Sequence, residues 1–242
     1  MTGVLAAIRN LHLMNGQKAE ALEDPRLKQV KMALAKEVRV KESRDPISSE
    51  DLKKIFASWK EDSGNCRMLK AALSLGFFGM LRIGEITASK GAANPAITLD
   101  SLDWKKGHLE VKLWRSKSDR TARGTTVVIP KTGSAICPHG TLKAYLEVRP
   151  RQVGGPLFLW ADGYPLSGVE LRKELQAGCR RAGVTGNING HSLRIGGATA
   201  LAEKGVSVER IMELGRWKSD SVRRYLKNPK EGLAEIASLM EN

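Results

Sequence analysis

The feature that most constrains this chain is a change of hydrophobic period around one apolar block. Residues 66–78 are strongly apolar and read as a helix, and Gly76 and Gly79 allow close packing and a break before Leu81-Arg82-Ile83-Gly84-Glu85. Beyond the break the pattern alternates. Residues 96–99, 109–114 and 125–130 read as short strands, as in Leu109-Glu110-Val111-Lys112-Leu113 and Thr126-Val127-Val128-Ile129. The last two flank a basic polar loop from Arg115 to Gly124, so a hairpin or small antiparallel sheet is expected. From about residue 139 the helical period returns, with helices expected near 139–147, 168–182, 191–204, 207–214, 218–227 and 231–241. The fold class that follows is α+β: mainly α with a small antiparallel β-sheet.

Upstream of the apolar block the organisation differs. Residues 4–14 and 26–38 have helical spacing, through Val4, Leu5, Ile8, Leu11 and through Leu27, Val30, Leu34, Val38. A polar segment follows and ends in Asp45-Pro46, which suits an extended linker, set here at residues 41–47. Ser48 and Ser49 offer caps to the next helix, with Glu50 and Asp51 in its first turn. The expected division is a helical stub over 1–40, the linker, and a main domain over 48–242.

Charge indicates the partner. The chain has 242 residues, with 40 Lys+Arg against 26 Asp+Glu and a formal net charge of +14. An excess of that size points to an anionic partner, and nucleic acid is the first expectation. Cys66, Cys137 and Cys179 are sparse and odd in number, which argues against a disulfide framework. Cys137-Pro138-His139 has no second ligand pair at useful spacing, so no metal is expected. The first apolar stretch is broken by Arg9, Asn10 and His12, which does not suit a signal peptide, and no run reaches the ~20 residues of a membrane span. A soluble, intracellular protein is expected.

The chemistry-bearing residues lie far apart in sequence. His191 and Arg194 stand at i and i+3, which puts them on one helix face. Leu193, Ala200 and Leu201 fall on the opposite side, so the polar pair need not be core. A histidine can donate to a phosphate oxygen or move a proton near neutral pH, and an arginine grips two phosphate oxygens at once. Tyr225 follows Trp217 and adjoins Arg223 and Arg224; a phenol needs such cations to act as a nucleophile. Tyr145 and Tyr164 have no comparable company. Arg82 either pairs with Glu85 or points into a phosphate site, or does both. Lys117, in Arg115-Ser116-Lys117-Ser118-Asp119-Arg120, reads as a solvated basic turn or as a lysine delivered to a leaving group.

Taken in order, Arg82, a hairpin lysine, His191-x-x-Arg194, Leu214-Gly215-Arg216-Trp217 and Tyr225 resemble the tyrosine recombinase (phage integrase) family. The resemblance covers about residues 47–242. The Gly-Arg-Trp-Lys-Ser-Asp form looks like recombinases of DIRS and Crypton mobile elements. Residues 1–40 look like the last helices of the family's DNA-clamping core-binding domain, with its start missing.

The resemblance implies the catalytic-domain fold of DNA breaking-rejoining enzymes. It also implies a role for each matching residue. Arg82 and Arg194 would bind the scissile phosphate, His191 would handle the nucleophile's proton, and Lys117 would act as general acid toward the 5′-oxygen. Trp217 would contact the phosphate through its ring N–H, Tyr225 would be the nucleophile, and Glu85 would support the site. Arg115, Arg120, Arg123, Arg216 and Lys218 are the expected DNA contacts. The implied reaction proceeds through a 3′-phosphotyrosine link with neither ATP nor metal, on double-stranded DNA, in a homotetramer whose protomers are monomers without DNA. Leu233, Ile236, Ala237 and Met240 form an apolar stripe on the expected C-terminal helix, 231–241, which would dock on a neighbour or cover its own core. The compartment would be the nucleus for a eukaryotic mobile element and the cytoplasm for a bacterial host. One departure stands out. Trp217 to Tyr225 is eight residues, where many bacterial and phage relatives have nine, and one residue turns an ideal helix by about 100°.

The rival reading is a DNA-binding module without catalysis. Ala200-Leu201-Ala202-Glu203-Lys204-Gly205-Val206-Ser207, followed by Ile211 and Leu214, has the form of a helix-turn-helix with Gly205 in the turn and Ser207 as cap. Such a module needs neither Arg82 nor Lys117 nor Tyr225.

Overall fold

The computed structural model describes residues 2–37, 44–88, 96–114, 124–152, 154–217 and 222–223. The chain divides into two compact units, Met1–Ser43 and Arg44–Asn242. In the first, α1 (Thr2–Met14) and α2 (Pro25–Glu37) are joined through a short 3₁₀ turn at Glu20–Leu22. Pro25 opens α2, where its missing N–H costs nothing, and the Asp24 carboxylate accepts from the Arg26 backbone N–H at 2.8 Å. Arg9 pairs with Glu23 at 3.0 Å. Val4, Leu11, Met14, Val30 and Met32 are exposed, so this unit contributes little core of its own.

The second unit is built around α4 (Gly64–Phe78). This helix is apolar on nearly every side, and its residues from Met68 to Phe77, apart from Lys70, are buried. Such a helix cannot present a wet face, so neighbours cover it all round. Those neighbours include α6 (Pro138–Leu146), α7 (Gly168–Ala182) and α8 (Ser192–Ala202). Ahead of it, α3 (Ser49–Ser58) opens on a reciprocal cap: Ser48 Oγ accepts from the Asp51 N–H, and the Asp51 carboxylate accepts from the Ser48 N–H. Residues 44–47 are not a free linker but part of this unit. Ile47 is fully buried and donates its N–H to the Ser192 carbonyl at 3.1 Å.

The sheet is three antiparallel strands in the order β1 (Leu102–Trp104), β2 (His108–Leu113) and β3 (Thr125–Pro130). Leu109 pairs with Ile129 and Val111 with Val127, and with Leu113 they form the buried face. The strand expected at 96–99 is not there. Ile97 and Leu99 alternate because Ile97 is buried, not because a ladder runs through them. Leu99–Ser101 is a 3₁₀ turn whose Ser101 hydroxyl accepts from the Thr98 N–H at 3.0 Å, and β1 starts directly after it at Leu102.

Three short helical pieces complete the unit. A single turn, α5 (Ile83–Ile86), follows α4, and α9 (Val208–Gly215) follows α8. Val222 and Arg223 form a 3₁₀ turn within the helix expected at 218–227; the rest of that helix and the one expected at 231–241 lie outside the described residues. Among the described residues no helix is long and apolar enough to cross a membrane, and Cys66, Cys137 and Cys179 carry free thiols.

Candidate active site

Arg82 stands where α4 has just ended. Gly79 closes the helix, Met80 turns the chain with a φ of +44°, and Arg82 caps α5. Glu85 fastens this turn twice, accepting from the Arg82 backbone N–H and from its guanidinium, each at 2.8 Å. The Glu85 side chain is only 7% exposed, so its charge needs such partners. A second one comes from a distant segment: Arg216 Nη2 lies 2.9 Å from the same carboxylate. Arg82 thus pairs with Glu85 and also lines a cavity of about 1610 Å³.

His191 reaches that cavity from the other end of the unit. Its backbone caps α8, and its exposed side chain lines the cavity with Arg82. Gly190 makes the approach possible: a Cβ there would fall 1.9 Å from the Ile83 side chain on α5. The protein packed around the His191 ring pulls its pKa below the ordinary 6.5, and Arg44, Arg194, Arg82 and Arg172 add to the effect. The neutral imidazole is thus the form present at neutral pH. A direct check is an NMR titration of His191. We expect a midpoint below 6.5 that rises in Arg172→Ala and Arg44→Ala, because each removes a cation that opposes protonation; a midpoint unmoved by both would remove these arginines from its surroundings.

Arg194 does not share His191's exposure. The i, i+3 spacing suggested a polar pair clear of the core, but Arg194 is 4% exposed. Its guanidinium donates to the backbone carbonyls of Met80 and Gly215 and lies over the Trp217 ring, 3.9 Å from its centroid. Carbonyl acceptors and an indole face are what allow this charge to be buried. Trp217 takes that position through the end of α9. Arg216 adopts a left-handed conformation with φ +59°, the Arg216 N–H returns to Glu213 and the Trp217 N–H to Met212. Gly215 is required beneath the ring, because a Cβ there would lie 1.6 Å from it.

Arg216 is placed differently from its expected role as a DNA contact. Its side chain is 11% exposed and points inward to Glu85, donating also to the Gly79 and Met80 carbonyls. Burial pulls the Arg216 pKa down, while the Glu85 carboxylate opposes that effect. Among the expected site residues, the structure gathers Arg82, Glu85, His191, Arg194, Arg216 and Trp217 about one junction. Lys117, Arg115, Arg120, Arg123, Lys218 and Tyr225 lie outside the described residues.

Two cations were not singled out from the sequence. Arg44 and Arg172 both line the cavity, one just before Asp45-Pro46 and one on α7. Nothing in the local pattern distinguishes either from other surface arginines. Tyr164 also lines the cavity and is 72% exposed. Tyr145 is buried, and its hydroxyl exchanges hydrogen bonds with backbone groups of Leu157 and Leu159. Among the described residues no group of three or more His, Cys, Asp or Glu is placed to hold a metal.

The model of the phage integrase family matches residues 45–231. The chain belongs to the phage integrase family. Solved structures agree on the fold. XerH site-specific recombinase, bound to a palindromic difH substrate after cleavage, matches at 20% identity with a TM-score of 0.59, covering 82% of this chain and 54% of that one. The chain thus spans little more than half of that recombinase's length. XerA recombinase matches at 16% identity and TM-score 0.60, covering 98% and 82%. A lambda integrase tetramer on a Holliday junction matches at 20% identity and TM-score 0.53, covering 93% and 64%. A search of curated proteins finds no match. These integrase neighbours share the mostly helical unit with its small antiparallel sheet.

Proposed function

We propose that this integrase is a site-specific DNA strand transferase that cuts and rejoins double-stranded DNA through a 3′-phosphotyrosine link. The observation that carries the reading is the convergence of Arg82 and His191, 109 positions apart, on one cavity, with Arg194 close enough to bear on the His191 charge. A phosphodiester entering this cavity meets guanidinium groups at the non-bridging oxygens and a neutral imidazole beside the attacking oxygen. The Tyr225 oxygen forms the new P–O bond and gives up its proton, for which His191 is the acceptor. The bond to the 5′-oxygen breaks, and Lys117 supplies that oxygen's proton. Rejoining is the reverse, with the 5′-hydroxyl displacing the tyrosine; the phosphodiester energy is kept in the link, so no ATP is consumed. The guanidinium groups supply the charge stabilisation that a metal supplies elsewhere.

The neighbours found on DNA, one of them a tetramer on a junction, support assembly of four protomers on two duplexes. The helix-turn-helix reading has less support. α8 and α9 do form around Gly205, and the Ser207 hydroxyl accepts from the Arg210 N–H. Yet the exposed side of α9 carries Glu209 and Glu213, and Arg210 is paired to Glu213 at 2.9 Å. Two carboxylates on that face oppose the phosphate backbone.

The reading is tested by trapping. Nicked duplexes drawn from the DNA flanking the gene lose a short fragment after cleavage and so cannot be rejoined. The expected product is a protein–DNA adduct joined to the 3′-phosphate end at the break, with a free 5′-hydroxyl on the released fragment, formed equally with and without chelator. Cleavage that leaves a free 3′-end, or that disappears with chelator, overturns the mechanism.

A further inference from the structure

A second cleft lies at the opposite end of the sheet from the β2–β3 loop. Lys105 and Lys106 stand in the β1–β2 turn, Lys131 directly follows β3 and Lys143 projects from α6. The Lys131 N–H donates to the Gly107 carbonyl at 3.1 Å, which ties the turn to the strand end. The cleft encloses about 630 Å³ and shares no lining residue with the Arg82–His191 cavity. Its floor is Trp104 set edge-on to His139, ring centroids 4.7 Å apart.

His139 is the telling residue. It is 8% exposed, and among the described residues neither ring nitrogen makes a hydrogen bond. Its ring nitrogens are not sealed from solvent, so one of them is open to donate to an oxygen that enters the cleft. Burial, then Lys143 and Lys131, hold its pKa below the ordinary value, so the lysines converge on it. The cations exceed their local carboxylates. Asp103 holds Lys105 at 2.7 Å, and Glu147 on the rim lies 3.6 Å from Arg67. Lys106, Lys131 and Lys143 form no ion pair among the described residues.

We propose that this cleft is a second phosphate-binding site, one that holds the backbone of duplex DNA outside the cleavage site. The inference rests on the proposed function only in taking DNA as the anion on offer. Lysines are compact charges on flexible stems, suited to following phosphates and lacking the fork that clamps a carboxylate. No exposed large apolar side chain lines the cleft, so it has no anchor for a protein partner.

The test compares the whole chain with its Lys106→Ala/Lys131→Ala/Lys143→Ala variant. Binding to a long random-sequence duplex is followed by fluorescence anisotropy between low and physiological salt. The expected result is affinity weaker by about tenfold and a salt slope shallower by about 0.9 for each lysine lost. The unfolding midpoint should stay unchanged, since all three side chains are exposed. An Arg44→Ala/Arg172→Ala variant serves as comparison, and the two losses should multiply. An unchanged slope overturns the proposal. So does loss of tripolyphosphate binding by calorimetry without any change on DNA, which assigns the cleft to small polyphosphates. Failure of the trapping experiment alongside a reduced slope rejects the strand-transfer chemistry and leaves this site standing.

Discussion

Tyr225→Phe is expected to abolish the covalent adduct completely while leaving DNA affinity unchanged. The substitution deletes one oxygen, the atom that forms the bond to phosphorus in the proposed chemistry, and keeps the aromatic ring. No other group in the proposed chemistry replaces a missing nucleophile, so the loss is total rather than a reduction. The informative comparison is Tyr164→Phe. Tyr164 stands open on the wall of the same cavity as Arg82 and His191, which makes it the rival phenol that the structure supplies. Tyr145 offers no such rivalry, because its oxygen is engaged by the backbone and burial pushes its pKa up. An adduct that survives in Tyr225→Phe, or that mass spectrometry maps to Tyr164, reverses the assignment. The eight-residue step from Trp217 gives this test its weight.

Arg194→Lys is expected to lose both stability and turnover. A lysine keeps the charge but cannot satisfy the Met80 and Gly215 carbonyls together while lying flat on Trp217. One carbonyl is left buried without a donor, at about 1–3 kcal/mol, and the stacking contact goes with it. The unfolding midpoint should fall by roughly 4–12 °C for a chain of this size. Adduct formation, measured well below that midpoint, should fall by about 10²-fold, the cost of a misplacement of ~1 Å, because the turn that carries Arg82 and the Trp217 ring both lose their tie to Arg194. A variant that is destabilised yet cleaves at full rate would make Arg194 a purely structural bolt. One that is fully stable would show the carbonyl contacts to be dispensable.

How legible these features were depended on what marks them in the chain. α7 was readable to its ends, because Ser167 caps it and Gly183 stops it in a left-handed conformation. The β2–β3 pair was readable from alternation alone. β1 was not, since three residues carry too little period and the buried Ile97 upstream imitated a strand. Arg82 with Glu85 was visible because an i, i+3 ion pair is local. The inward turn of Arg194 and Arg216 was not, because their acceptors are carbonyls and a carboxylate over a hundred positions away, or the remote end of another helix. Arg44 and Arg172 were hidden for the opposite reason: they enter the cavity from segments that carry no pattern at all.

The carbonyls of Gly79 and Met80 also set an order of events. Arg194 and Arg216 both close on this one turn, and Arg194 further needs the Gly215 carbonyl and the Trp217 face. Contacts so remote in sequence form late, after the loops between them have closed. A chain emerging from the ribosome therefore carries Arg82, with its local partner Glu85, and His191 before these remote contacts can form. Until residues 215–217 have been made, the turn that carries Arg82 lacks its contacts with Arg216, and Arg194 lacks the Gly215 carbonyl and the Trp217 ring.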